Sequence, residues 1–121
     1  MNLIEEPPII DEWRQLGASE SGLGVLVGYV RGHPLLSPGW IVTSPLRWIK
    51  ASESRAETES RVYVLGTPFP DDQSLPPAAR RVAFSRLTYI LAEADGRPMT
   101  MESLGHFQKA IDAMCGPVRS E

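Results

Sequence analysis

Between Gly24 and Pro70 three strand-like runs are cut apart by turn residues, and this punctuation commits the middle of the chain to a small sheet. The run from Leu23 to Arg31 is β-branched and aromatic, and too short and glycine-rich for a helix. Gly28 inside it marks a bulge or a close backbone approach. Gly32 to Gly39, with Pro34 and Pro38, reads as a loop. Extended structure resumes at Trp40 to Ser44. Pro45 has no N–H to give to a ladder, so it either lies on an edge or bulge, or breaks the strand, which then restarts through Leu46 to Ile49. Ala51 to Glu59 is polar and mixed in charge, as an exposed turn would be, and Arg61 to Leu65 forms the third strand before Gly66-Thr67-Pro68 ends it. Short links between neighbouring strands imply an antiparallel meander.

Three short strands cannot close a core alone, so the flanking segments are expected to cover one face. After Pro7-Pro8, Ile9, Ile10, Trp13 and Leu16 recur at helical spacing, with Asp11 and Glu12 in the first turn and Gly17 as a stop. This predicts a short helix over 8–16, with Trp13 as a core anchor. Ser19 to Gly22 reads as a connector. Downstream of a linker with Asp72 or Ser74 as cap candidates, Ala79, Val82, Ala83, Leu87, Ile90, Leu91 and Ala94 mark one long helix, which Gly96 to Pro98 end. Thr100 is the expected cap of a second helix with a stripe of Leu104, Phe107, Ile111 and Met114, stopped by Gly116-Pro117. The fold expected from the sequence is therefore α+β. It is a three-stranded antiparallel sheet over 23–66, covered by the 8–16 helix and an antiparallel helical pair over 76–115, in a single domain spanning 1–121.

The chain of 121 residues has room for about one core. A hydrophobic share of 42% and a charged share of 22% are those of a globular protein, not of a disordered one. A formal charge of -3 offers no long-range attraction to nucleic acid or anionic lipid. Cys115 is the only cysteine, so no internal disulfide forms; it reads as a semi-buried apolar residue in a reducing compartment. The first residues lack a basic region and an apolar run, no segment reaches membrane-spanning length, and a cytoplasmic location without membrane contact is expected.

No pattern in the chain assembles a catalytic site. The two imidazoles, His33 in a loop and His106 in the last helix, lie in no hydrolase motif, and no spacing of histidines and acids matches a metal site. The glycines at 22, 24, 28 and 32 do not form a phosphate loop. Neither a cofactor nor an enzymatic activity is expected. The local signal is basic: Arg31, Arg47, Lys50, Arg55 and Arg61 outnumber Glu53, Glu57 and Glu59 in the sheet region, with Tyr29, Trp40, Trp48 and Tyr63 among them. Cations interleaved with aromatics are one way to bind nucleic acid, although the acids between them oppose phosphate. Arg80, Arg81 and Arg86 form a smaller patch on the first long helix, and arginine is enriched in protein interfaces. The expected binding residues are Arg31, His33, Arg47, Trp48, Lys50, Arg55, Arg61, Arg80 and Arg81.

Gly28 to Pro34 with its Gly-His-Pro turn, Gly39 to Leu46 with Thr43-Ser44, and the Thr58 to Gly66 strand together resemble small uncharacterised proteins of bacteria and their phages. In those, the three pieces follow one another in this order. This chain departs from them in having Ala56-Glu57 ahead of Thr58 in place of a more basic lead-in. The resemblance implies an accessory protein of a mobile element that acts by stoichiometric binding, for instance as an inhibitor of a CRISPR-type host-defence complex. The expected function is thus a non-catalytic protein-binding module; the alternative is a nucleic-acid-binding regulator using the basic and aromatic sheet face.

Overall fold

The computed structural model describes residues 6–17, 22–95 and 100–117, with the side chains of 90–95 excepted. Ser19 to Ser21 of the expected connector, the Gly96 to Pro98 stop and the side chains of Ile90, Leu91 and Ala94 lie outside this set. The chain forms two compact units, divided between Phe69 and Pro70.

The first unit holds strands β1 (Ile9–Leu16), β2 (Val25–Arg31), β3 (Gly39–Val42), β4 (Leu46–Lys50), β5 (Arg55–Thr58) and β6 (Val62–Leu65), with a 3-10 turn at Ala51–Glu53. They make one six-stranded sheet in the order β3-β2-β1-β6-β5-β4. The α+β class holds, but the expected three-stranded antiparallel sheet does not: the sheet has six strands and is mixed, because β1 and β6 run parallel. The parallel pair follows from connectivity. β3 and β4 run in the same direction and form one bent pass, so the chain crosses the sheet in an odd number of alternating passes and its first and last strands point the same way.

The expected 8–16 helix is instead β1, an inner strand of the sheet. A bulge explains the misleading spacing. Asp11 pairs with Tyr29 and Arg14 with Val27, so Glu12 and Trp13 together face the single residue Gly28, and Glu12 takes a left-handed φ of 49°. The inserted residue converts the two-residue period of a strand into the three-residue step between Ile10 and Trp13, both of which pack in one core. Gly28 is indeed a point of close approach, since a Cβ there would meet the Ile10 side chain at 2.5 Å and the Asp11 carbonyl oxygen at 2.9 Å.

The segment expected to be a polar turn contains β5, whose inward residues are Ala56 and Thr58. Their small or polar side chains give no apolar alternation for a sequence reading to detect. At Pro45 the strand breaks: β3 ends at Val42 and β4 begins at Leu46. Across the break the Thr43 N–H donates to the Leu26 carbonyl at 2.9 Å and the Leu46 N–H to the Gly24 carbonyl at 2.8 Å. The sheet therefore curls until its edge strand β4 touches the start of β2. Ile10, Leu26, Val30, Leu46, Ala56 and Tyr63 share one buried cluster inside that curl, with Leu65 beside them.

The second unit is the expected helical pair, α1 (Pro77–Asp95) and α2 (Met101–Cys115). Ala79, Ala83 and Leu87 line the buried stripe of α1 at four-residue steps. The helices are antiparallel, for the Leu75 N–H just before α1 donates to the carbonyl of Cys115 at the end of α2 at 2.8 Å, and Arg80 pairs with Asp112 at 3.3 Å. Thr100 caps α2, accepting the Ser103 N–H at 3.1 Å while the Ser103 hydroxyl takes the Thr100 N–H at 2.9 Å. Cys115 is buried. No helix among the described residues is long and apolar enough to cross a membrane.

Candidate functional site

Side chains directly opposite one another in a ladder share a face, so the register shows which of the scattered cations meet. Arg31 pairs with Ile9, Ile9 with Val64, Val64 with Arg55, and Arg55 with Lys50. One cross-strand row therefore runs over five strands on the face opposite the core cluster, with cations at both ends and two aliphatic side chains between. Ile9 is 37% exposed although it is a large apolar residue. The adjacent row on the same face holds Val62, Glu57 and Trp48.

Lys50 and Arg55 are direct cross-strand partners. Like charges in that relation destabilise a ladder. The side chains reduce the cost by turning aside: the Lys50 ammonium lies 5.5 Å from the centre of the Trp48 ring and 3.7 Å from Glu53. Arg55 is exposed and has no ion pair among the described residues. Arg47 is the extra residue of a second bulge, where Leu46 pairs with Thr58 and Trp48 with Glu57, and its guanidinium reaches Glu57 at 3.9 Å. At the far end of the row Arg31 is ion-paired with Asp11, whose other carboxylate oxygen accepts the Thr67 N–H at 3.2 Å.

His33 and Arg61 belong to a different feature. The His33 Nδ1 accepts the N–H groups of Leu35 at 3.0 Å and Leu36 at 3.2 Å, which folds the loop after β2 into a tight turn. Its ring lies 6.3 Å from that of Tyr63. Burial, and then the positive charge of Arg61, hold the His33 pKa below the ordinary value, which favours the neutral ring that can accept at Nδ1. Burial pushes the Tyr63 hydroxyl up, partly offset by Arg61. The turn holds Leu35 at 78% and Leu36 at 46% exposure.

Of the expected binding residues, the register thus unites Arg31, Arg55, Lys50 and Trp48 on one face, and the ion pair with Glu57 brings the bulge residue Arg47 to it. His33 and Arg61 serve the loop instead, and Arg80 and Arg81 are exposed residues of the second unit. The apolar centre of the face, Ile9 and Val64, is not legible in the sequence, because the spacing over 8–16 reads as a helix. Of the aromatics interleaved with the cations, Tyr63 is buried in the core, where a large aromatic of a small domain is expected to supply apolar area. Tyr29 and Trp40, opposite each other on β2 and β3, pack edge to face at 5.9 Å.

A shallow groove of about 480 Å³ lined by Asp11, Glu12, Tyr29 and Thr67 lies beside the β1 bulge. Among the described residues no three histidine, cysteine or acidic side chains are placed to hold a metal ion. No family model, curated protein or solved structure matches the chain.

Proposed function

We propose that this protein is a non-catalytic binding module whose outer sheet face, centred on the Arg55–Lys50 pair, engages an acidic surface of a protein partner. The observation that carries this reading is the like-charge pair held directly across the β4–β5 ladder. A sequence that keeps two cations opposite each other sacrifices a little stability at one place, and such local conflicts concentrate where a partner resolves them. Exposed Ile9 and half-buried Val64, Val62 and Trp48 supply the apolar contact, and the arginines supply a rim of the composition common at interface anchors.

Nucleic acid fits this face less well. Phosphate binding draws most of its affinity from runs of unopposed cations, and here the carboxylates of Asp11, Glu57 and Glu53 alternate with Arg31, Arg47 and Lys50; a protein surface adds apolar contact with Ile9, Val64 and Trp48 that a phosphate backbone does not. Trp48 lies under Lys50, and Tyr63 is not available for stacking on a base. The resemblance of residues 28–66 to small bacterial and phage proteins, with the lone buried cysteine, directs the first search for the partner to the cytoplasm. Host-defence complexes of CRISPR type are the first class to try.

Affinity capture from bacterial lysate, read by mass spectrometry with and without nuclease and at low and high salt, tests the reading. A nuclease-resistant, stoichiometric protein partner is expected on the wild type and is lost with Arg55→Glu. Recovery of nucleic acid alone, removed by nuclease and salt, would overturn it, as would the absence of any partner.

A further inference from the structure

We infer that the partner docks as an extended acidic segment that adds a strand to the open edge of β4, an inference that rests on the binding role proposed above. β4 is a terminal strand of the sheet, and among the described residues its ladder is with β5 alone. Its first residue is closed off by the Leu46 N–H bond to the Gly24 carbonyl, and beyond Leu46 the described residues make no backbone bond to its outer side.

Hydrogen-bond alternation tells which groups point outward. The Thr58 N–H donates to the Arg61 carbonyl at 2.9 Å and the Ser54 carbonyl accepts the Leu65 N–H at 2.8 Å, so Ser54, Ala56 and Thr58 address β6 and Arg55 and Glu57 address β4. Their partners Lys50 and Trp48 bond inward to β5. Ile49, between them, presents its N–H and C=O to the open edge. An incoming strand that pairs with Ile49 places its two flanking side chains beside Trp48 and Lys50 on the outer face, and its central side chain beside Ile49 on the core face. The segment that fits therefore alternates acid, apolar, acid. Its acids meet Lys50 and Arg47 and lie one strand away from Arg55, relieving the repulsion built into the ladder.

Charges on an edge strand are also the ordinary guard against unwanted pairing. Here the guard is selective. A second copy of β4 would bring another Arg47 and Lys50 against the first pair, four cations on one short ladder, so self-addition is opposed. An acidic strand competes with Glu57 and Glu53 for Arg47 and Lys50, but those exposed pairs, at 3.9 and 3.7 Å, contribute little, and main-chain bonds to Ile49 provide affinity that charge alone does not.

The probe is a synthetic peptide of about eight residues alternating Glu and Val, with blocked ends. Calorimetry and amide exchange at Ile49, followed by NMR on the whole protein, give the readout. The acidic peptide is expected to bind and to slow exchange at Ile49, and Lys50→Glu to weaken it about tenfold. Replacing Glu by Lys, or the central Val by Pro, is expected to abolish binding. Lack of binding by the acidic peptide overturns the inference, and so does binding that leaves Ile49 exchange unchanged. Equal competition by polyglutamate or a single-stranded oligonucleotide marks a plain electrostatic contact and also overturns it. If lysate capture persists while the peptide fails, this docking mode alone falls; the binding role falls only if capture itself is absent.

Discussion

The Asp11 carboxylate lies over Gly66, in the space that any side chain at position 66 would need. From there it ties β2 to the end of β6, through Arg31 on one side and the Thr67 amide on the other. Gly66→Ala is expected to push Asp11 away from both and lower stability by about 1–3 kcal/mol in chemical denaturation. Gly28→Ala is expected to cost more than Gly66→Ala, because a Cβ there also meets the backbone oxygen of Asp11, which cannot swing aside. Gly105→Ala, in open space on α2, is expected to change stability in the opposite direction, a gain of about 1 kcal/mol. A loss at Gly105 or neutrality at Gly28 would contradict the packing described.

The His33 turn makes stability depend on pH with a definite sign. The folded protein holds His33 neutral, with a pKa below 6.5, so on acidification the unfolded chain takes up the proton first. The stability contributed by the neutral ring is fully present above 6.5, is lost as pH falls from there through the lowered folded value, and changes no further below it. Denaturation series between about pH 5 and pH 8 are expected to show this decline in the wild type and a flatter profile in His33→Ala. Equal slopes in the two proteins would remove the role assigned to Nδ1.

Two buried threonines act as backbone acceptors. Thr43 Oγ1 takes the Leu26 N–H at 3.0 Å where the sheet curls, and Thr58 Oγ1 takes the amides of Ser60 at 3.1 Å and Arg61 at 3.2 Å. Thr43→Val and Thr58→Val keep the shape and strand these donors, so each is expected to cost about 1–3 kcal/mol. Ser44→Ala is expected to fall within about 0.5 kcal/mol, since its hydroxyl meets Ser60 at the surface. Thermal unfolding of the three variants checks the order.

Relief of the Lys50–Arg55 repulsion should separate stability from binding. Arg55→Glu turns the cross-strand pair attractive and is expected to stabilise the free protein by about 0.5 kcal/mol while abolishing partner capture. A variant that loses both stability and capture would mean that Arg55 supports the fold rather than the partner.

Local chemistry determined several elements outright. The apolar stripes and the Thr100 cap specify α1 and α2, and the β-branched run from Val25 to Arg31 specifies β2, because helix periodicity and cap chemistry are written in neighbouring residues. The candidate cations were likewise visible, as residue types. Their assembly was not. Which of Arg31, Arg47, Lys50, Arg55 and Arg61 share a face depends on register between strands distant in sequence, which no local pattern records. The strand identity of Ile9–Leu16 depended on tertiary structure as well. Its bulge mimics helical spacing, and only the β2 and β6 ladders on its two sides hold that backbone extended. β5 became a strand for the same reason: Ala56 and Thr58 carry too little apolar surface to declare it, and pairing with β4 and β6 supplies the hydrogen bonds that its own sequence does not promise.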